Sequence, residues 1–229
     1  MPDSIVRIEA PARLHFGMLD LGGSLGRRFG GIGAGVFAPS LLVELERADA
    51  VEAKGPSAER AEEFARRALA AMNVRGGVRV VVRRAIPAHS GLGSGTQLAL
   101  AVARGVAELY DRPTEVATLA AAVGRAKRSA IGTWLFDGGG FVVEGGRREA
   151  DSRIAPLLAR LAIPESWRCV LALPASTAGA SGDAEVQAFR TLPAPPKSEA
   201  EHVAHLVLMS LLPALAESDL GAFGHALTE

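Results

Sequence analysis

A single cysteine, Cys169, stands among 229 residues. No internal disulfide can form, and a cytoplasmic location is the expectation. Cys169 lies in the apolar run Cys169-Val170-Leu171-Ala172-Leu173 and reads as a buried strand residue. Net charge is also missing: Lys+Arg and Asp+Glu both number 25. That balance excludes a general attraction to nucleic acid or to an anionic membrane, and leaves a local basic patch open. No apolar stretch reaches about 18 residues without a charge or a breaker, so no membrane span is expected. The start, Met1-Pro2-Asp3-Ser4, has no basic residues ahead of an apolar core, so no signal peptide is expected. What is present, 48% hydrophobic and 22% charged residues, is ordinary for a globular protein of one large domain or two small ones.

Strand and helix periods mix along the chain without regular βαβ alternation, which predicts an α+β fold. Ile5 to Glu9 and Arg13 to Leu19 read as two strands, or one strand bent at Pro11. A glycine-dense loop from Gly22 to Gly35, holding Arg27 and Arg28, precedes a strand over Ser40 to Arg47. Ser57 is placed to cap a helix running to about Asn73, with Phe64, Ala68, Leu69 and Met72 on one face. Val78, Val80 and Val82 mark a strand, and about Gly95 to Tyr110 a helix so apolar that it is buried on most sides. Pro113 and Thr114 open a helix to about Arg128. Gly145-Gly146 reads as a hairpin turn between Phe141–Glu144 and Arg147–Ala150. A short helix over Ile154–Leu161, a strand over Arg168–Leu173, a loop over Ser176–Gly182 and a helix over Ala184–Phe189 follow. Leu192-Pro193-Ala194-Pro195-Pro196 is a stiff connector, followed by helices from about Ser198 to Leu212 and from Ser218 onward. The expected division is residues 1–192 as an α+β domain and 193–229 as the start of a helical domain, incomplete because no closing strand follows.

The segment from Ile86 to Gln97 carries the chemistry. In Ser90-Gly91-Leu92-Gly93-Ser94-Gly95-Thr96, glycines let backbone amides approach an anion, and the following helix adds its positive end. Serine and threonine hydroxyls can take a phosphate oxygen or Mg²⁺. His89, Ser90, Gly91, Leu92, Gly93, Ser94, Gly95 and Thr96 are therefore the candidate phosphate site, with Ser94 the candidate metal ligand. The Gly-Lys-Ser/Thr ending of a Walker A loop is absent. Thr96 and Gln97 also serve simply as the start of a helix.

The pattern Pro87-x-x-x-Gly91-Leu92-Gly93-Ser94 resembles the nucleotide loop of the GHMP superfamily, which includes galactokinase, homoserine kinase and mevalonate kinase. Ala10-Pro11-Ala12-Arg13-Leu14-His15-Phe16-Gly17 is similar to the superfamily's first strand. Ser129-Ala130-Ile131-Gly132 through Gly139-Gly140 is similar to its third landmark. The resemblance implies a two-domain α+β fold with an N-terminal domain like domain 2 of ribosomal protein S5. The superfamily's last glycine-rich segment is not found in this chain. Within the superfamily, four strings resemble the β-ribofuranosylaminobenzene 5′-phosphate synthases: Arg13 to Leu21, Arg27 to Gly33, Gly91 to Leu100 and Gly124 to Thr133. That resemblance implies condensation of phosphoribosyl pyrophosphate with p-aminobenzoate or 4-hydroxybenzoate, with release of CO₂ and pyrophosphate, on the way to methanopterin-type carriers. It also implies Mg²⁺, small-molecule substrates and a homodimer.

An ATP-dependent small-molecule kinase is the competing expectation. Such kinases carry an aspartate in the third landmark, and ungapped alignment places Gly132 there. Glycine can neither accept a proton nor pair with a lysine. Expelling pyrophosphate from C1 of ribose instead calls for cations and N–H donors around the leaving group. Holding an aromatic carboxylate calls for arginine. The candidate catalytic residues are Arg13, Asp20 and Arg28, and the candidate substrate-binding residues are Arg27, Arg28, Lys127 and Arg128. Other roles stay open for each. Asp20 equally caps a turn, Arg27 and Arg28 equally belong to a solvated loop, and Arg125, Lys127 and Arg128 equally face the negative end of a helix. His15, on a strand, reads as packed.

Overall fold

The computed structural model describes residues 4–148, 153–173, 191–193 and 195–229. The loop expected at 176–182 and the helix expected at 184–189 lie outside them. The fold is α+β, and the chain packs as two units, both discontinuous in sequence. Among the described residues no helix is long and apolar enough to cross a membrane.

The first unit takes residues up to Leu14, Gly35–Lys127 and Gly132–Gly139. It holds the first part of β1 (Val6–Gly17) and most of β2 (Gly31–Ala48), with β3 (Glu52–Lys54), α1 (Ala58–Ala71) and β4 (Gly77–Arg84). It also holds α2 (Ser94–Leu109), α3 (Val116–Ala122) and nearly all of α4 (Ile131–Gly138). β4 pairs antiparallel with β2, Val80 opposite Leu45, and parallel with β3, Val80 opposite Ala53. The alternation in β4 does what its period requires: Val78, Val80 and Val82 are buried. α1 buries Ala61, Phe64, Ala65, Ala68 and Leu69 and packs on α2 and β4. α2 is buried almost all round, as its composition predicts. It approaches β2 so closely at Gly105 that a Cβ there would collide with the Leu45 side chain.

The second unit takes His15–Ala34, Arg128–Ile131 and the chain from Gly140 onward. The start of β2 pairs antiparallel with β5 (Phe141–Glu144), Ile32 opposite Val143. β5 pairs with β6 (Leu157–Leu161). Helices α5 (Lys197–Leu206), α6 (Leu212–Ala216) and α7 (Leu220–Thr228) follow, α5 and α6 joined by a π-helical turn at Val207–Leu211. Phe141 stacks on Phe16 at 6.0 Å and meets Phe223 edge-on at 5.7 Å, and Trp167 meets Phe223 at 5.0 Å.

Several expectations are corrected. The segment 5–19 forms one strand, β1. Gly31, Gly33 and Gly35 belong to β2, not to a loop; a Cβ on Gly31 would sit 3.2 Å from the Gly17 carbonyl, a close backbone approach. Ser57 stands before α1 but adopts φ 61° and makes no side-chain cap bond. The helix expected to reach Arg128 stops at Ala122. Gly124 (φ 69°) turns the chain, with Gly124 N–H on Ala121 and Arg125 N–H on Ala120, a glycine-terminated helix end. Lys127 and Arg128 therefore lie beyond that helix. Gly145-Gly146 is not a hairpin turn: Gly145 N–H donates to Pro156, and Arg147 pairs with Arg28. Residues 157–161 form a strand because β5 needs a second partner. Residues 168–173 take no regular structure, and Cys169 is exposed.

Gly105→Ala drives a methyl into Leu45, itself buried. It is expected to lower unfolding free energy by about 1–3 kcal/mol, measured by urea denaturation, and a neutral result would contradict the packing of α2 on β2.

Candidate functional site

The glycine loop joins β4 to α2 and is shaped by three left-handed residues, His89 (φ 57°), Gly91 (φ 75°) and Gly93 (φ 75°). The Ser90 hydroxyl donates to the Pro87 carbonyl at 2.8 Å and closes the first turn. Arg13 fixes the rest: its amide donates to the Leu92 carbonyl at 2.9 Å and its Nη2 to the Gly91 carbonyl at 3.2 Å. Leu92 is buried, while Gly91 and His89 are exposed. α2 then begins. Its Thr96 and Gln97 amides return to the Gly93 carbonyl at 3.0 and 3.1 Å. The Ser94 and Gly95 amides take no main-chain acceptor among the described residues, the condition that makes a helix start receptive to an anion. Thr96, expected to contribute an amide, has only its hydroxyl to offer.

Gly132 lies against this loop. A Cβ there would stand 3.2 Å from the Thr96 methyl and 3.6 Å from Arg13 Cδ. The fully buried Gln97 donates to the Gly132 carbonyl at 2.9 Å, tying α2 to α4. A side chain at Gly132 would press on the Thr96 methyl and lie beside Arg13.

Arg60, which the sequence reading did not single out, and Arg125 also belong to this surface. A Cβ on Gly95 would meet Nη2 of Arg60, and Arg125 Nη2 lies 3.6 Å from the same point. Nothing in the sequence marked Arg60 beyond its place in the helix that follows Ser57.

In the second unit Asp20, Arg27 and Arg28 share one loop. Asp20 accepts from Gly23 N–H at 2.7 Å, Ser24 Oγ at 2.9 Å and Leu25 N–H at 3.3 Å. Burial raises its carboxyl pKa, but the Ser24 hydroxyl and the amides of Gly23, Leu25 and Gly22 outweigh that and hold it below the ordinary value. Of its two open roles, this geometry is that of the turn cap. Arg27 donates to the carbonyls of Gly145 (2.6 Å) and Gly146 (3.0 Å), so its guanidinium braces a turn. Arg28 is exposed and lies 5.4 Å over the Phe29 ring. Lys127 is exposed and Arg128 half-buried. Among the described residues no group of His, Cys, Asp and Glu could hold a metal ion.

Glu144 holds the Arg27 turn from below. Fully buried, it accepts from Ala130 N–H at 3.2 Å and Gly146 N–H at 2.8 Å. The Ser129 hydroxyl also reaches it and lies 3.4 Å from His15 Nε2. Burial pushes the Glu144 carboxyl up, against the opposing pull of Gly146, Ala130, Ser129 and the nearby Arg27.

Removing the carboxyl strands two buried donors, so Glu144→Ala is expected to cost about 2–4 kcal/mol in denaturant unfolding. The raised pKa means the native state binds this proton more tightly than the unfolded chain does. The stability it gives at low pH is lost as pH rises through the native pKa. Glu144→Gln does not titrate. Its stability relative to wild type is expected to improve from about pH 4 to about pH 8; a flat difference would refute the assignment.

Comparison with known proteins agrees with this architecture. Residues 58–137 match the family described as GHMP kinases N terminal domain. A β-ribofuranosylphenol 5′-phosphate synthase of Methanothermobacter thermautotrophicus is 37% identical over 97% of this chain and 74% of its own length. One from Archaeoglobus fulgidus is 35% identical over the same shares. The L. major mevalonate kinase, solved with R-mevalonate, superimposes with a TM-score of 0.65 at 16% identity, over 98% of this chain and 73% of that one, a likeness of fold. The chain belongs to the β-ribofuranosylphenol 5′-phosphate synthase family and has the fold of the GHMP kinases.

Proposed function

We propose that this chain transfers the ribosyl phosphate of phosphoribosyl pyrophosphate to an aromatic acid with loss of CO₂. The observation that carries the reading is Gly132, tight against the Thr96 methyl, in a family whose relatives are named synthases. No aspartate stands there to activate an alcohol. The relatives' names specify a ribofuranosylphenol, the product that 4-hydroxybenzoate would give, and this favours the hydroxy acid over p-aminobenzoate.

The chemistry sets the demands. The bond from ribose C1 to the diphosphate oxygen breaks, and pyrophosphate leaves with the electron pair. The ring carbon bearing the carboxylate forms the new bond to C1. The bond from ring to carboxylate then breaks, its electrons restore aromaticity, and CO₂ departs. Donors on the leaving group lower the barrier to the first step. The amides of Ser94 and Gly95 and the Thr96 hydroxyl suit that task, together with His89, Ser90, Gly91, Leu92 and Gly93 of the same loop. Arg13, by fixing the loop's carbonyls, orients them. Arg28, exposed on its own loop, suits the aromatic carboxylate or the 5′-phosphate. Arg27 braces its own turn, and Lys127 and Arg128 are the further cations proposed for substrate. Mg²⁺ fits as a companion of the diphosphate, with Ser94 Oγ as its protein ligand, because phosphate-bound Mg²⁺ needs few side chains; it supplies charge neutralisation.

Incubation with phosphoribosyl pyrophosphate, Mg²⁺ and carboxyl-labelled 4-hydroxybenzoate is expected to release labelled CO₂ and pyrophosphate in equal amounts. ATP turnover with an alcohol substrate, and no labelled CO₂, would overturn the reading. Arg28→Ala is expected to lower kcat/KM by about tenfold or more with an unchanged melting temperature, whereas Arg27→Ala is expected to lower the melting temperature. Gly132→Asp is expected to lose synthesis without gaining phosphoryl transfer.

A further inference from the structure

The first unit carries a concentration of positive charge that the glycine loop alone does not explain. Arg60 and Arg67 are seven residues apart in α1, two turns, and so share a face. Arg60 Nη2 presses on the space above Gly95, and Arg125 Nη2 lies 3.6 Å from it. Arg67 Nη1 lies 3.6 Å from the point above Gly124, where Lys127 Cε comes within 3.9 Å. Arg125 rests on the Phe64 ring at 4.9 Å, and its Nε is buried with no hydrogen-bond partner.

Electrostatics in this cluster run one way. Burial first, then Arg60 and Arg67, hold the Arg125 pKa below the ordinary guanidinium value, with Glu63 alone opposing. Glu63 is already in an ion pair with Arg67, the residue one turn on. Arg60 makes no hydrogen bond to protein among the described residues. Arg60 and Arg125 meet at the start of α2, the positive end of a helix. Like charges beside unfilled amides raise the free energy of the empty site, and a polyanion relieves every one of these contacts. A single carboxylate would leave most of the charge uncompensated.

We propose that Arg60 and Arg125 form a clamp over Gly95 that takes the diphosphate of phosphoribosyl pyrophosphate. The identity of that ligand rests on the function proposed above; the polyphosphate chemistry of the site does not. Gly95 is part of the clamp, because a side chain there would occupy the ligand's space and displace Arg60.

The test is calorimetry of the full chain with inorganic pyrophosphate, paired with steady-state synthesis, on wild type, Arg60→Gln and Arg125→Lys. Circular dichroism checks folding. Both variants are expected to weaken pyrophosphate binding about tenfold or more. The KM for phosphoribosyl pyrophosphate is expected to rise in step, with the KM for 4-hydroxybenzoate unmoved. Should Arg125→Lys misfold through loss of its contact with Phe64, Arg60→Gln decides. Wild-type affinity for pyrophosphate in both folded variants, or no binding to wild type, overturns the clamp. If wild type releases no CO₂ yet the variants still lose pyrophosphate affinity, the clamp stands and the proposed reaction falls.

Discussion

Arg13 holds the glycine loop by main chain and side chain together, and the loop's geometry follows from that grip. A run with three left-handed residues has no regular ladder to fix it. Without an external anchor such a segment would sample many conformations. The Arg13 amide and guanidinium take two successive carbonyls, Leu92 and Gly91. With these fixed, Gly93 can close the first turn of α2 and leave the Ser94 and Gly95 amides as unfilled donors. Arg13 is better described as the residue that positions the loop than as one that acts on substrate directly.

The same side chain accounts for Gly132. Its Cδ and the Thr96 methyl stand where a larger residue would extend, and Gln97 fixes the Gly132 carbonyl from inside. Gly132 and the loop held by Arg13 are thus one arrangement. Under the proposed reaction, that arrangement suits a departing diphosphate better than the deprotonation of an alcohol. Cations and amides meet the first demand, and neither group accepts a proton.

The parts of the fold that depend on local pattern were legible in the sequence. The alternating valines of β4, the apolar α2 and the glycine loop all behave as their periods and residue types require. The errors fall where tertiary partners decide. Residues 157–161 are a strand because β5 offers an edge, and Gly145-Gly146 fails as a hairpin because Glu144 captures the Gly146 amide and Arg28 captures Arg147. Gly124 did carry a local signal, a glycine closing a helix, which the longer apolar pattern around it obscured. Among the candidate site residues, Arg13 and the glycine loop come together in the structure. Arg27 was indistinguishable from Arg28 in sequence, since only distant carbonyls separate a bracing arginine from an exposed one.

Arg27 and Arg60 show what sequence reading cannot supply: whether a cation already has its anion or acceptor. Arg27 lies in a conspicuous glycine-rich string, yet its Nε and Nη2 are committed to the Gly145 and Gly146 carbonyls. Arg60 lies in a helix read only for its apolar face, yet among the described residues no protein acceptor takes it, and Arg125 crowds it. A guanidinium that already donates to two carbonyls has little left for an incoming carboxylate or phosphate, and its removal is felt mainly in stability. One pressed against another cation is the reverse case, because its electrostatic cost is recovered only when an anion binds. Residual electrostatic frustration, more than proximity to a recognised motif, is therefore the physical ground for assigning Arg60 and Arg125 to ligand and Arg27 to the scaffold.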